Sequence, residues 1–259
     1  MLHIQPEHVV LLSDRGPVRF TSRSGQLVLE RQSSSVTALL HGVAGVIASP
    51  VTWVTPSTSA ADAKAMRLGL FRDLTSRLGY SPDVVLIHEQ EYERYYYDAG
   101  VRIIWSAWHG IEDDIPIQCD GENPLASLAS YVRVNRRLSS RIAQVAVKGA
   151  IVAVQDYQFM LAPTIIRGLR PDARIVHFSH TPFPDSESVA KLPSAVVRTL
   201  VTGMLGQTCS VSNLPDGHIV SCNVASGLVW MLIKTMVRCG MAVAKSGCGV
   251  TRCLSTSCP

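Results

Sequence analysis

Three short stretches carry groups able to hold a polar ligand. Ser13-Asp14-Arg15-Gly16-Pro17 offers a carboxylate and a guanidinium. Gln155-Asp156-Tyr157 offers a carboxamide, a carboxylate and a phenol, and the run Ser179 to Pro184 (SHTPFP) offers an imidazole between two hydroxyls. Each follows a run of apolar residues directly. Open α/β sheets bind ligands at the carboxyl ends of their strands, so polar groups in that position are site candidates. The same residue types also build turns for backbone reasons alone. On these stretches by themselves the two readings weigh equally.

The elements that must position them follow from periodicity. Val9 to Ser13, Val51 to Thr55, Val84 to His88, Arg102 to Trp105, Ile151 to Asp156 and Arg174 to His180 are short, near-continuous apolar runs. Such runs suit strands covered on both faces. Longer stretches with helical spacing lie between them: Ala60 to Leu78, Pro124 to Lys148, Phe159 to Leu169 (interrupted by Pro163) and Ser186 to Leu205. The alternation predicts an α/β fold, a mostly parallel sheet with helices on both sides. No internal repeat, low-complexity linker or heptad run is present.

The stretch VQDYQFMLAPTIIRGLRPDARIVHFSHTPFPDSE, residues 154 to 187, resembles the signature of glycosyltransferase family 20, the retaining trehalose-6-phosphate synthases. The family shows (H/Q)DYxLxLxPxxLR, then a strand, then HxPFPxxE. Here Gln155-Asp156-Tyr157 runs on to Pro163 and Arg167, and His180-Thr181-Pro182-Phe183-Pro184 is followed by Glu187. Ser13-Asp14-Arg15-Gly16-Pro17 resembles the family's Ser-Asn-Arg-x-Pro. YYYDAGVRIIW resembles its tyrosine-to-tryptophan segment, and Tyr131 to Arg136 its Tyr-x-x-Val-Asn segment. The helix LPSAVVRTLVTGMLG resembles the segment ending in a Leu-Leu-Gly-Ala-Asp type turn. The resemblance covers about residues 9 to 206.

It implies a two-domain GT-B glycosyltransferase whose active site lies between Rossmann-like domains. The implied reaction joins glucose from a nucleotide-glucose donor to glucose 6-phosphate, with no metal and no cofactor. Arg15 would hold the acceptor phosphate, a role that suits the planar fork of a guanidinium. Tyr96, or Tyr97 if the alignment slips by one, and Trp105 would wall the acceptor pocket. Asp156 would orient acceptor hydroxyls, and His180 would contact the donor sugar. Asp156 can equally cap the following helix, and His180 and Trp105 can be core residues. Two departures stand out. Ser34 and Ser35 replace a Gly-Gly pair at which backbone approaches phosphate, and Val101 or Arg102 replaces an asparagine.

The chain changes character near Gly206. Six of its seven cysteines (Cys209, Cys222, Cys239, Cys248, Cys253 and Cys258) follow that point, with four Lys/Arg and one acid, Asp216, after Thr208. Their gaps lack the short paired spacing of a metal site, and the expectation is that they share no role. The residues up to Thr208 hold 20 basic and 19 acidic side chains, which gives no nucleic-acid or membrane signal. The apolar run Ile219 to Ile233 is short of the about 20 residues of a spanning helix. MLHIQPEHVV is no signal peptide, so the expectation is a cytoplasmic protein.

Residues 1–206 therefore read as the N-terminal, acceptor-side domain, with 207–259 a non-family, disordered or poorly packed tail and the second domain missing. The chain is expected to be inactive alone. A non-catalytic remnant, or a fragment of a pseudo-glycosyltransferase coupling cyclitols, are the alternatives. The tail has one further property. The third base of each codon, read with the first two of the next, permits Gly-Phe-Gln-Ser from Ser210 to Leu214 and Arg-Trp-Ala from Pro215 to His218. Val220 to Cys222 likewise permits Phe-Leu. The family carries such a motif after this helix, and a frameshift between about Leu205 and Cys209 is expected.

Overall fold

The computed structural model describes residues 6–111, 124–180, 188–189, 192–214 and 217–222. A seven-stranded sheet runs in the order β5-β4-β1-β6-β7-β8-β9. Its strands are β1 (Val9–Leu12), β4 (Val51–Ser57), β5 (Ser81–Leu86), β6 (Ile151–Gln155), β7 (Arg174–Ser179), β8 (Cys209–Leu214) and β9 (Gly217–Cys222). All pairs are parallel except β8 with β9. β1 is central. Val9 pairs with Val51 on one side and Ile151 on the other, and all four β1 side chains are fully buried. Burial is worth about 1.5–3 kcal/mol for each such side chain. That is why the strand tolerates no polar residue until Ser13.

Two layers of helices cover the sheet. On one face Val9, Leu11, Trp53, Ile151 and Phe178 pack with Leu40 and Val43 of α1 (Ser35–Val46). On the other, Val10, Leu12, Val152 and Val154 meet Tyr131, Val134, Leu138 and Ile142 of α7 (Pro124–Val145). These α7 residues recur at three- and four-residue spacing, one stripe of a helix. Arg141 of α7 donates to both carboxylate oxygens of Asp83 on β5 at 2.7–3.1 Å, fixing the helix over the sheet edge.

Three expectations need correction. Arg102 to Trp105 is no strand. It closes a π-helix (Arg94–Trp105) that continues α5 (Glu89–Glu93) and leads into α6 (Ser106–Trp108). Tyr95, Ala99 and Ile103 are buried at four-residue spacing, so its apolar run is the buried face of a helix. Ala60 to Leu78 is three short helices: α2 (Ala60–Arg67), α3 (Leu70–Asp73) and α4 (Thr75–Leu78). Gly69, at φ +75°, ends the first. Pro163 does not interrupt a helix but sits at the start of α8 (Ala162–Leu169), where its missing N–H costs nothing.

The sequence reading also passed over a hairpin, β2 (Val18–Arg23) with β3 (Gln26–Arg31), turned at Ser24 and Gly25, both with positive φ. Asp62 of α2 ties it down, accepting from the Phe20 N–H and the Ser57 hydroxyl, each at 2.6 Å.

Backbone pairing continues past residue 206. After α9 (Ser194–Met204) the chain enters β8, which pairs with β7 from Val176 opposite Cys209. Arg167 of α8 guides the entry. Its guanidinium donates to the carbonyls of Gly206, Pro171 and Ala173 at 3.1, 2.8 and 2.6 Å and to the Thr208 hydroxyl at 2.8 Å. Residues 223–259 lie outside the described residues.

α9 packs closely on the loop before α8. A Cβ on Gly203 would lie 2.6 Å from the Met160 carbonyl oxygen and from Leu161 Cδ2. Gly203→Ala is therefore expected to destabilise the fold by about 1–3 kcal/mol. Gly168→Ala, in open space on α8, should be neutral or stabilise by about 0.5 kcal/mol. Urea unfolding of the two variants checks both.

Candidate active site

The strand order reverses direction at β1. The crossover from β1 leads to β4, and β6 lies on the other side. The loops after β1 and β6 therefore leave the sheet side by side, where α/β folds place ligands. Between them lies a cavity of about 280 Å³ lined by Ser13, Asp14, Arg15, Ser34, Thr37, Tyr96, Trp105, Gln155, Asp156 and Tyr157, among others. Arg15, Tyr96, Trp105 and Asp156 are thus brought together from three separate segments, Tyr96 and Trp105 both belonging to the π-helix. A larger cleft of about 840 Å³ runs along β5 and α7. It holds none of these strand-end residues.

The loop after β1 is fixed by hydrogen bonds. Trp53 Nε1 donates to Ser13 Oγ at 2.7 Å, Ser13 Oγ to the Arg15 carbonyl at 2.7 Å, and Thr55 Oγ1 to the Asp14 carbonyl at 3.1 Å. Gly16 must lack a side chain, because a Cβ there would meet Thr55 Cγ2 at 2.7 Å. Arg15, an exposed residue at the cavity, stands beside the Tyr96 side chain; Tyr96 foremost, and Asp14 after it, raise the pKa of its guanidinium against partial burial. Burial first, then Asp14, pushes the Tyr96 phenol up. Tyr96 stacks on Tyr92, centroids 5.6 Å apart and planes 6° apart. Tyr97 packs edge-on against Tyr96, is 55% exposed and does not line the cavity. Trp105 packs on His109, ring centroids 4.1 Å apart and planes tilted by 32°.

Asp156 is held in an unusual backbone conformation, φ 68° and ψ 177°. Only glycine adopts that region freely, and another residue costs about 1–3 kcal/mol there. The surroundings enforce it. Asp156 N–H donates to the Phe178 carbonyl at 2.5 Å, and His177 Nε2 contacts the Asp156 carbonyl at 3.0 Å. His177 is fully buried and burial lowers its pKa. A proton on Nε2 is what lets this ring donate to that carbonyl.

Asp156 Oδ1 accepts from the N–H of Tyr157 at 3.0 Å and of His180 at 3.3 Å. It does cap the 3-10 turn Tyr157–Phe159, and it also lines the cavity. Burial pushes the Asp156 carboxyl up to about 6, against these two hydrogen bonds. His180 stands behind it, its Nε2 3.2 Å from Gln155 Oε1. Thr181 to Glu187, the rest of that motif, lies outside the described residues.

α7 supports the β6 loop from below. The Tyr131 hydroxyl donates to the Tyr157 carbonyl at 2.5 Å and accepts from Met160 N–H at 3.1 Å, and Asn135 Nδ2 donates to the Gln158 carbonyl at 3.0 Å. At the opposite wall Ser34 caps α1, its Oγ accepting from Thr37 N–H at 3.1 Å. The residue standing where the resemblance expects glycine thus occupies a helix N-terminal N–H with its own hydroxyl. Gln155, Tyr157, Gln158 and Thr37 also line the cavity. Gln155, Tyr157 and Gln158 fall in the motif at the end of β6, whereas Thr37, in the first turn of α1, carried no signal in the sequence. Among the described residues no group of three or more His, Cys, Asp or Glu gathers to hold a metal ion, and no helix is long and apolar enough to cross a membrane.

Strain at Asp156 makes a paired expectation. Asp156→Gly relieves the backbone and should stay within about 1 kcal/mol of wild type, whereas Asp156→Ala keeps the strain, loses both caps and should cost about 1–3 kcal/mol. Chemical denaturation of the two variants side by side is the check.

Comparison with known proteins agrees in fold and family. The profile of Glycosyltransferase family 20 matches residues 7–212. The α,α-trehalose-phosphate synthase [UDP-forming] A of Dictyostelium discoideum is 29% identical over 186 residues, 71% of this chain and 24% of that protein. The trehalose-6-phosphate synthase of Mycolicibacterium smegmatis is 42% identical over 87 residues, 34% of this chain and 17% of that one. Among solved structures, the N-terminal domain of Candida albicans trehalose-6-phosphate phosphatase superposes with a TM-score of 0.62 at 21% identity, covering 90% of this chain and 42% of that one. A Burkholderia xenovorans trehalose-phosphate synthase solved with glucose-6-phosphate gives 0.56 at 13% identity, covering 83% and 47%. The chain spans a quarter or less of these curated relatives and under half of these solved chains. With 206 of its 259 residues matched on a sheet of the same fold, the chain belongs to glycosyltransferase family 20.

Proposed function

We propose that this chain carries the acceptor side of a trehalose-6-phosphate synthase and binds glucose 6-phosphate in the cavity between the β1 and β6 loops. The observation that carries this reading is the convergence of Arg15, Tyr96, Trp105 and Asp156 on one cavity at the strand-order reversal. Arg15 would grip the phosphate with Tyr96 beside it. Trp105 would wall the sugar. Asp156, an acceptor held by two backbone N–H groups, would orient the sugar hydroxyls. His180, adjoining through Gln155, would face the donor glucose.

In the transfer, the bond between the donor's anomeric carbon and its diphosphate oxygen breaks. The acceptor's anomeric oxygen bonds to that carbon on the same face, and its proton passes to the leaving phosphate. The protein's share is positioning and charge stabilisation. Residues binding the nucleotide-glucose belong to a second domain in this family, so we propose that these residues alone do not turn over. A cytoplasmic setting, where sugar phosphates and nucleotide sugars occur, fits this reading.

Calorimetric titration with glucose 6-phosphate tests it. Saturable binding is expected, with Arg15→Ala weakening it by about tenfold or more, the loss of a charge-assisted contact. An absence of binding would favour the non-catalytic remnant, a reading that the Ser34 cap supports by engaging an α1 N–H.

The tail we read as a shifted frame. Gly206-Gln207 in the offset reading permits Ala, and Gln207-Thr208 permits Asp. These are the residues that follow the glycine in the family's Leu-Leu-Gly-Ala-Asp turn. A single base lost at the Gly206 codon accounts for the cysteine surge and the charge skew together. The nucleotide sequence across Leu205 to Cys222 should be open in the offset frame and encode Gly-Phe-Gln-Ser; stops there sink the idea.

A further inference from the structure

Asp14 stands immediately before Arg15 and lines the same cavity. Part of the residue is open to solvent, but its carboxylate is enclosed by protein. Both carboxylate oxygens are engaged. The Tyr92 hydroxyl donates to Oδ2 at 2.8 Å and the Tyr95 hydroxyl to Oδ1 at 3.1 Å. Tyr92 belongs to α5 and Tyr95 to the π-helix, so this one side chain ties the β1 loop to the tyrosine-bearing segment. Tyr96, the neighbour of Arg15, stacks on Tyr92. The groups facing the Asp14 carboxylate are Arg15 on its own loop, Tyr92, Tyr95 and Tyr96 from the helical segment, and Asp156 and Tyr157 from the end of β6. Two carboxylates and one guanidinium therefore surround a cavity of about 280 Å³.

We propose that Asp14 is the charge-selecting residue of this cavity: ionised, it weakens the hold on a phosphate ester, and neutral, it lets Arg15 act unopposed. The proposal rests on the sugar-phosphate reading of the site given above. The physical argument is the sign of the charges. A phosphate bound at Arg15 lies close to the neighbouring residue's carboxylate, in a partly enclosed site where like charges interact more strongly than in water. Hydrogen bonds from two neutral phenols stabilise the carboxylate but leave its charge in place. Burial pushes the Asp14 carboxyl up to about 6, against the bonds from Tyr92 and Tyr95 and the field of Arg15. Its ionisation thus falls within the range where proteins are ordinarily assayed. The tyrosines do not titrate there, since burial raises all four.

The test is calorimetric titration of the full 259-residue chain with glucose 6-phosphate at pH 5, 6, 7 and 8 and constant ionic strength. Wild type, Asp14→Asn and Tyr92→Phe are compared, with glucose as the uncharged control. At each pH the ratio of variant to wild-type affinity cancels the ligand's own phosphate ionisation. Asp14→Asn is expected to bind glucose 6-phosphate about five- to tenfold more tightly than wild type at pH 8, and the ratio should fall towards one at pH 5, where Asp14 is protonated. Glucose affinity should be the same in both. Tyr92→Phe removes a hydrogen bond that favours the ionised carboxylate. Its loss of affinity with rising pH should therefore begin at a higher pH than in wild type. This second variant decides the matter if Asp14→Asn does not fold.

An Asp14→Asn ratio that is constant with pH, or weaker binding at pH 8, overturns the proposal and leaves Asp14 as a structural clamp. So does an unshifted Tyr92→Phe profile. Absence of wild-type binding at every pH overturns the sugar-phosphate reading itself, and this inference with it.

Discussion

Everything at the site depends on β1 pairing in parallel on both sides. Four residues, Val9 to Leu12, are fully buried and hydrogen-bonded to β4 and β6 along their length. With both neighbours parallel, the carboxyl ends of β1 and β6 fall side by side. The chain must leave each of them by a loop, and those loops cannot be covered by the sheet. The result is a gap whose walls are strand ends, held to the precision of a backbone ladder. Polar residues placed there are positioned by the most tightly paired part of the sheet.

That rigidity also explains the strain at Asp156. Its backbone sits in a region that disfavours side chains, and the hydrogen bonds to Phe178, His177, Tyr157 and His180 all keep it there. A glycine would be more comfortable. The carboxylate is retained at a position whose local energetics argue against it, and such conflict between local preference and fold concentrates at functional positions. Ser34 is the opposite case. Its cap on α1 is locally favourable, yet it uses an N–H on the cavity side of the helix. One residue gives up stability at the cavity, while the other gains it.

Much of this was legible in the sequence. The buried strands declared themselves as unbroken apolar runs, and α7 by its three- and four-residue spacing. Arg15 and Asp156 were legible because each directly follows such a run. What misled was RIIW, a β-branched run too short to separate a strand from a helix face; only the burial of Tyr95 and Ala99 on the same stripe reveals the helix. The β2–β3 hairpin has a readable Ser-Gly turn between alternating apolar residues, but strands exposed on one face lack the continuous pattern of the others. The grip of Tyr92 and Tyr95 on Asp14 spans 78 and 81 positions of chain. No local pattern encodes it.

Arg167 has a consequence for how the molecule survives in solution. All but one of its contacts are to main-chain carbonyls, which every residue possesses. The delivery of the chain to the flank of β7 therefore asks for specific residues only at Gly206 and Thr208. β7 is buried along nearly its whole length, and left open it would be an adhesive ladder for a second molecule. An arginine that recognises mostly backbone lets varied sequence beyond Thr208 close that ladder, so the edge of β7 can stay covered even where the residues that cover it have changed.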